Sequence, residues 1–184
     1  MEAAASPIRS TPSPPSPFSS LASGMEATLA QNARMVAAHV AASLPDADTL
    51  LASLPPGALE GSPDNYTRHL VYADPYERFS VMVLVWRPGQ HSPVHGHRTW
   101  CAYRVLRGTL SERHYRWNCE NRTASQTGAA TREAGDTFSV PAGLQHIHAL
   151  GNDSHAVAVS LHIYGVDPDR IATGVNLLVD TIVS

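Results

Sequence analysis

Residues 89–108 read GQHSPVHGHRTWCAYRVLRG and hold two histidines, His95 and His97, separated by one residue. Side chains alternate between the two faces of an extended segment, so His95 and His97 project from the same face. Two imidazoles on one face can bind a single ion, and neutral imidazole suits iron, copper, nickel or zinc better than calcium or magnesium. The stretch therefore predicts a metal site on a strand, and the alternative is an ordinary solvated strand that carries two histidines.

The composition indicates a single globular domain. The chain has 184 residues, of which 43% are hydrophobic and 16% charged, so it is long enough to bury a core. A net charge of -3 gives no electrostatic reason to expect nucleic acid or an anionic membrane as a partner, and no apolar run approaches the length of a membrane span. All 13 basic residues are arginine, which excludes Schiff-base chemistry on a lysine. Two cysteines are too few for a disulfide framework, so we expect a cytoplasmic protein.

The N-terminal segment differs in composition from the rest of the chain. Residues 1–24 are rich in proline, serine and alanine and carry few large apolar side chains, so we expect a disordered tail followed by one domain over residues 25–184. Residues 25–43 are alanine-rich with a helical pattern that ends before Pro45, and Asp46 or Asp48 can cap a second helix that runs to Leu54. We expect both helices to pack on the outside of the main fold.

From Tyr66 onward the pattern favours β-strands. Residues 118–134 are polar and are predicted to form a loop, whereas the tail over residues 167–183 fits either a helix or a strand. Short strands separated by turn residues are typical of an antiparallel barrel or jelly roll. The predicted strands cover residues 79–86, 100–105, 110–117, 137–140, 147–150 and 156–164.

The two histidines belong to a longer pattern, G-x5-H-x-H-x3-C-x6-G, in which the cysteine is Cys101. This pattern resembles the first motif of the cupin superfamily, in which a glutamate usually stands at the position of Cys101. The resemblance implies a mainly β protein, a cupin jelly-roll barrel with short N-terminal helices. The second cupin motif, G-x5-P-x-G-x2-H, matches Gly135, Pro141, Gly143 and His146.

The segment SLHIY, residues 160–164, is similar to the Ser-His-Tyr relay of the cysteine dioxygenase type I family of thiol dioxygenases. On a strand, Ser160, His162 and Tyr164 share one face, where each can hydrogen-bond to the next and orient the phenol of Tyr164. The alternative is simple alternation, with Leu161 and Ile163 in the core and the polar side in water. A row of buried polar side chains needs partners, which favours the relay.

The segment NYTRHL resembles the Tyr-x-Arg segment of the same family. The resemblance implies that Tyr66 and Arg68 bind the substrate, with the guanidinium paired to a carboxylate. Arg170 follows the relay, where relatives that use 3-mercaptopropionate place a carboxylate-binding arginine, so it is a second candidate. Alternatively, Arg170 is a surface residue paired with Asp167 or Asp169.

The third histidine of the metal site is either His146 or His148. His146 fits the cupin spacing, whereas His148 fits the family's H-x3-N pattern with Asn152 and lies fourteen residues before His162. Alternation puts both on the same face of a strand and does not separate them. We favour His148 as the third metal ligand beside His95 and His97, with His146 near the mouth of the site.

The resemblance implies a mononuclear Fe(II) enzyme that adds both atoms of O2 to the sulfur of a small thiol carboxylate. L-Cysteine is the first expected substrate, and 3-mercaptopropionate and mercaptosuccinate are the alternatives. Binding to an ion with only neutral ligands favours the deprotonated thiol. The expected partners are therefore the small thiol and O2, and the protein is expected to be a monomer or a small homo-oligomer.

Two further alternatives remain open at this point. In animal members of the family, the cysteine at the position of Cys101 forms a thioether with the relay tyrosine, which is Tyr164 here. This chain has one residue fewer between that cysteine and the preceding histidine. The alternative is that Cys101 is a small core residue. A non-catalytic cupin that binds a ligand through its metal is the main alternative to an enzyme.

Overall fold

The computed structural model describes residues 18–182 and contains three helices and two five-stranded sheets. The helices are α1 (Ser19–Ser43), α2 (Ala47–Ala52) and α3 (Ile171–Gly174), and 3-10 turns lie at Ala58–Glu60 and Pro168–Arg170. The strands are β1 (Thr67–Ala73), β2 (Ser80–Trp86), β3 (His95–His97), β4 (Cys101–Arg107), β5 (Thr109–Asn118), β6 (Thr123–Glu133), β7 (Thr137–Val140), β8 (Gly143–Gly151), β9 (Ala158–Tyr164) and β10 (Asn176–Leu178).

Both sheets are antiparallel. The first has the strand order β1-β2-β9-β4-β7 and the second the order β10-β3-β8-β5-β6. One apolar cluster joins their facing sides and includes Leu84 and Tyr103 from the first sheet with Leu110 and Leu150 from the second. The predicted mainly β, jelly-roll barrel is confirmed.

The strands β2 and β9 are buried on both faces. Their inward side chains, such as Leu84, contact the second sheet, whereas outward side chains such as Val83 and Leu161 form a second cluster with residues of α1 and α2. Burial on both faces explains why residues 79–86 form a nearly continuous apolar run and do not alternate. The helices therefore pack outside the barrel, as their sequence indicates.

Helix α1 begins at Ser19, so the segment expected to be a disordered tail contributes residues 19–24 to this helix. Leucine and alanine in this segment have high helix propensity and extend the helix backward without packing, since Leu21 is 62% exposed. Residues 1–17 lie outside the described part of the chain. Of the two predicted caps, Asp46 caps α2, where its carboxylate accepts the backbone N–H of Thr49 at 2.9 Å. No helix within residues 18–182 is long and apolar enough to cross a membrane.

The prediction of a loop over residues 118–134 is wrong, because β6 pairs with β5 along its whole length. Strand β6 lies at the edge of its sheet and most of its side chains are exposed, so its sequence shows no apolar alternation. The tail after Asp167 contains both predicted elements, since α3 is followed by β10, which pairs with β3.

The segment that leads into His95 is anchored by Asn152, which is fully buried. Its side-chain amide donates to the carbonyls of Trp86 and Ala156, both at 2.8 Å. Its backbone carbonyl accepts from the N–H of Gly89 at 2.8 Å, and its own N–H donates to the carbonyl of Gln90 at 2.9 Å. The asparagine therefore ties the end of β2, the loop before β3 and the turn between β8 and β9 together.

The turn between β1 and β2 is built around Asp74, which is 5% exposed. Its carboxylate accepts the backbone N–H groups of Tyr76 and Arg78 and two bonds, of 2.8 and 2.7 Å, from the guanidinium of Arg78. The Arg78 guanidinium lowers the pKa of Asp74 to about 2, against the opposing effect of burial.

We expect Asp74→Asn to lower the free energy of unfolding at pH 7. The difference in this free energy between the variant and the wild type should narrow as the pH falls. The folded-state pKa of Asp74 is below its unfolded value, so its stabilising effect is complete above about pH 4 and is lost as the pH approaches 2. Urea unfolding of both proteins between pH 7 and the lowest pH at which the wild type still folds measures this. A difference that stays constant over that range would contradict the assignment.

Candidate metal centre

Three buried histidine rings meet where β3 pairs with β8. His95 lies opposite His148 in this pairing, and His97 follows on the same face of β3. The three ring centroids are 5.0, 4.9 and 5.0 Å apart, and the ring nitrogens that face one another all lie within 4.8 Å. The rings thus form a nearly equilateral triangle around one point, an arrangement that can hold a single ion.

Gly96 allows β3 to approach β8 closely enough for this triangle to form. A Cβ atom at Gly96 would lie 2.7 Å from the carbonyl oxygen of Gly143 and 2.9 Å from Cδ2 of Leu144. The register of the β3–β8 pair also shifts between His95 and His97. Any side chain at Gly96 would therefore push the two strands apart at the site.

The hydrogen bonds of two of the rings leave one nitrogen of each of these two rings free for a metal. Nδ1 of His95 donates to the carbonyl of Pro93 at 2.8 Å, and Nδ1 of His148 donates to a carboxylate oxygen of Glu112 at 2.6 Å. Each of these two rings therefore presents an unprotonated Nε2. Nδ1 of His97 is buried and has no hydrogen-bond partner.

Burial keeps two of the three imidazoles uncharged. It lowers the pKa of His95 to about 4 and that of His97 to about 2. Neutral rings with available lone pairs are the donors that first-row transition metals bind, so the residues present fit a metal ion.

The sequence analysis missed Glu112, which is 4% exposed and lies behind His148. Its other carboxylate oxygen accepts Nε–H of Arg132 at 2.7 Å and the hydroxyl of Tyr103 at 3.1 Å. Burial acts to raise the pKa of Glu112, but the bonds from His148 and Arg132 outweigh it and lower the pKa to about 2. A signal was present in the sequence: strand alternation puts Glu112 on the same face as the core residue Leu110, where a carboxylate needs partners.

The polar row of β9 is buried, with Ser160, His162 and Tyr164 exposed by only 0, 3 and 6%. The Ser160 hydroxyl hydrogen-bonds to Nε2 of His162 at 2.9 Å and accepts the indole N–H of Trp86 at 2.9 Å. The rings of His162 and Tyr164 are stacked with centroids 5.7 Å apart, and no hydrogen bond joins these two described residues. The row is therefore buried. A hydrogen bond joins Ser160 to His162, whereas a ring contact joins His162 to Tyr164.

Cys101 and Tyr164 face the same pocket from neighbouring strands. They are directly opposite in the pairing of β4 with β9, and both are buried. Burial raises the pKa of the Cys101 thiol and of the Tyr164 phenol, so both groups are protonated at neutral pH.

Tyr66 and Arg68 line this pocket from β1 and the residue before it. The guanidinium of Arg68 donates to the hydroxyl of Tyr66 at 2.7 Å, and the Tyr66 ring stacks on Trp86 with centroids 4.2 Å apart. Arg170 is exposed and does not line the pocket, so the structure does not bring the two predicted arginines together. Arg170 also forms no ion pair with Asp167 or Asp169, all three being within the described residues.

Two cavities meet at His148. The pocket that contains the three histidines has a volume of about 20 Å³, whereas an open cleft of about 780 Å³ lies beside Glu112 and Arg132. Among residues 18–182, His148 is the one residue that lines both cavities. His146 is exposed and lines the cleft but not the metal pocket. The structure thus places His148, rather than His146, beside His95 and His97.

We expect His148→Ala to abolish the thermal stabilisation that a divalent metal gives to the protein, and His146→Ala to preserve it. An ion that binds only the folded state stabilises it by about 2.7 kcal/mol at ~100 times its Kd, which raises the Tm by several degrees. The measurement is a thermal melt under anaerobic conditions with and without Co²⁺. His146 is the matched control, because it is two residues away on the same strand. Equal stabilisation of both variants would remove His148 from the metal site.

Among solved structures, the chain is similar to a protein of Thermus thermophilus (23% identity, 58% of this chain and 89% of that chain, TM-score 0.46) and to a double-stranded β-helix protein of Klebsiella pneumoniae (16% identity, 68% and 86%, TM-score 0.47). It is also similar to a cupin superfamily protein of Desulfitobacterium hafniense (16% identity, 62% and 90%, TM-score 0.45). The family model for cysteine dioxygenase type I matches residues 26–172, well over half of the chain. The protein therefore belongs to the cysteine dioxygenase type I family.

Proposed function

We propose that the protein is an Fe(II)-dependent thiol dioxygenase that converts a small thiol carboxylate, first of all L-cysteine, to its sulfinic acid. The observation that carries the proposal is the content of one small pocket: three histidines, the guanidinium of Arg68 and the phenol of Tyr164. Membership of the cysteine dioxygenase type I family supports the reaction class.

His95, His97 and His148 would hold the iron, which when bound supplies the sites where the thiolate and O2 react. Histidines bind a metal as neutral ligands, so a site of three histidines would keep the attraction of the ion for an anionic sulfur. The supporting bonds from Pro93 and Glu112 hold two of the rings in orientation.

Arg68 and Tyr66 would bind the substrate carboxylate. Arg68 is the one arginine that lines the metal pocket within the described residues, and a guanidinium can bind a carboxylate through two parallel hydrogen bonds. The stacking of Tyr66 on Trp86 fixes the hydroxyl that holds Arg68. The small size of the pocket favours a substrate of few atoms over a peptide thiol.

Tyr164 would donate a hydrogen bond to the reacting substrate. Burial keeps its phenol protonated, and burial also lowers the pKa of His162 to about 3, so the neighbouring imidazole is neutral. The bonds from Trp86 through Ser160 to His162 fix the ring on which Tyr164 stacks. The row thus positions a neutral proton donor beside the metal.

A second candidate substrate is 3-mercaptopropionate, which lacks the amine of cysteine. No aspartate or glutamate within residues 18–182 lines the metal pocket, so no carboxylate is there to pair with a substrate ammonium. Mercaptosuccinate is less well matched, because its second carboxylate would need another cation and Arg170 lies outside the pocket.

We expect the protein loaded anaerobically with Fe(II) to consume O2 when a thiol is added, and the product to gain two oxygen atoms by mass spectrometry. L-Cysteine, 3-mercaptopropionate and mercaptosuccinate are compared side by side, with the metal-free protein as the control. Iron-loaded protein that consumes no O2 with any of the three, yet binds them, would favour the non-catalytic binding module.

We expect Arg68→Ala to raise the KM for L-cysteine roughly 10- to 100-fold while the iron content stays unchanged, because hydrogen bonds to a charged group contribute about 1.5–3 kcal/mol. Arg170→Ala is the matched control and should leave the KM unchanged, since Arg170 is exposed outside the pocket. Steady-state kinetics and metal analysis of the three proteins test this. The opposite result, a KM raised by Arg170→Ala alone, would assign the carboxylate to Arg170.

A further inference from the structure

We propose that Glu112 is a positioning residue for the metal centre: its carboxylate orients His148 and increases the electron donation of that ring to the bound ion. The inference deepens the proposed function, because it rests on His148 as a metal ligand. It does not depend on which thiol is oxidised.

The geometry supports an orienting role. One carboxylate oxygen of Glu112 is used by Nδ1 of His148 at 2.6 Å, and the other is shared by Arg132 and Tyr103. These partners lie on β8, β6 and β4, so the carboxylate is held from both sheets. It cannot rotate without losing several bonds, and it therefore fixes the plane of the His148 ring and directs Nε2 at the centre of the histidine triangle.

The charge of Glu112 supports an electronic role. A site of three histidines contains no anionic ligand, and Glu112 lies within one imidazole ring of the place that the ion would take. A carboxylate that accepts Nδ1–H makes the opposite nitrogen of the ring a stronger donor. The guanidinium of Arg132 donates to the same carboxylate at 2.7 Å, so a positive partner is paired with Glu112 on the side away from His148.

A purely structural role for Glu112 makes different predictions. In that case the carboxylate only satisfies the buried donors of Arg132 and Tyr103, and its charge does not affect the metal. Loss of the charge would then change the stability of the fold and leave the properties of the bound ion unaltered.

The surface of the protein offers a matched control for this arrangement. Asp153 also binds a histidine and an arginine: His91 Nε2 lies 2.6 Å from one carboxylate oxygen, and Arg113 lies 3.2 Å from the other. This cluster is partly exposed, and none of its three members lines the metal pocket. Asp153→Asn therefore removes the same kind of charge from the same kind of pair, away from the metal.

The experiment compares the wild type with Glu112→Gln and Asp153→Asn. The Kd for Co²⁺, measured by chelator competition without thiol or O2, should rise roughly 10- to 100-fold in Glu112→Gln and stay unchanged in Asp153→Asn. The Fe(III)/Fe(II) midpoint potential should rise in Glu112→Gln, because loss of the negative charge disfavours the ferric ion. Glu112→Gln protein with the wild-type Kd and potential would overturn the proposal.

If Glu112→Gln does not fold, Glu112→Asp carries the test. It retains the charge for Arg132 but withdraws the carboxylate from His148 by one methylene, so Co²⁺ should bind more weakly; unchanged binding would overturn the proposal. Failure of this inference can be distinguished from failure of the proposed function. If the wild type oxidises no thiol while Glu112→Gln still loses metal affinity, the inference stands and the dioxygenase assignment does not.

Discussion

The close approach of β3 to β8 is the constraint on which the candidate site depends. Strand β3 has only three residues, and two of them are the histidines that face β8. Gly96 separates them and brings its backbone against the carbonyl of Gly143. The pairing places His148 opposite His95, and because β8 also pairs with β5, it puts Glu112 behind His148. A short glycine-containing strand thus sets both the ligands and their support.

The second constraint is the cost of burying polar groups in the first sheet. Strand β9 is buried on both faces, so the polar row Ser160, His162 and Tyr164 needs partners within the protein. Trp86 donates to Ser160, which also hydrogen-bonds to His162, and the Tyr164 ring stacks on that of His162. The same burial keeps the imidazole of His162 neutral and the phenol of Tyr164 protonated. Folding and site chemistry therefore share one physical cause, which is the exclusion of water from the barrel.

The sequence allowed prediction of the features that local spacing encodes. The HxH pair, the apolar run of β2 and the alternating residues of β9 each follow from the side-chain period of a strand. It did not reveal β6, because an exposed edge strand has no apolar side to mark it. Glu112 was missed because its partners come from other strands: the pairing of β5 with β6 brings Arg132 to it, and the packing of the two sheets brings Tyr103. The exposure of Arg170 likewise depends on tertiary packing and not on its distance from the relay.

The anchoring of the loop before β3 by Asn152 has a consequence for how an ion enters and leaves. Freeing this loop would break the two backbone hydrogen bonds that Gly89 and Gln90 form with the buried Asn152, and the bond of 2.7 Å from the N–H of Ser92 to the carbonyl of Leu150, which disfavours local opening. His95 and His97 are then preorganised before any ion arrives, and little conformational entropy is lost on binding. We therefore expect exchange of the metal to be limited by breaking ligand bonds rather than by movement of this loop.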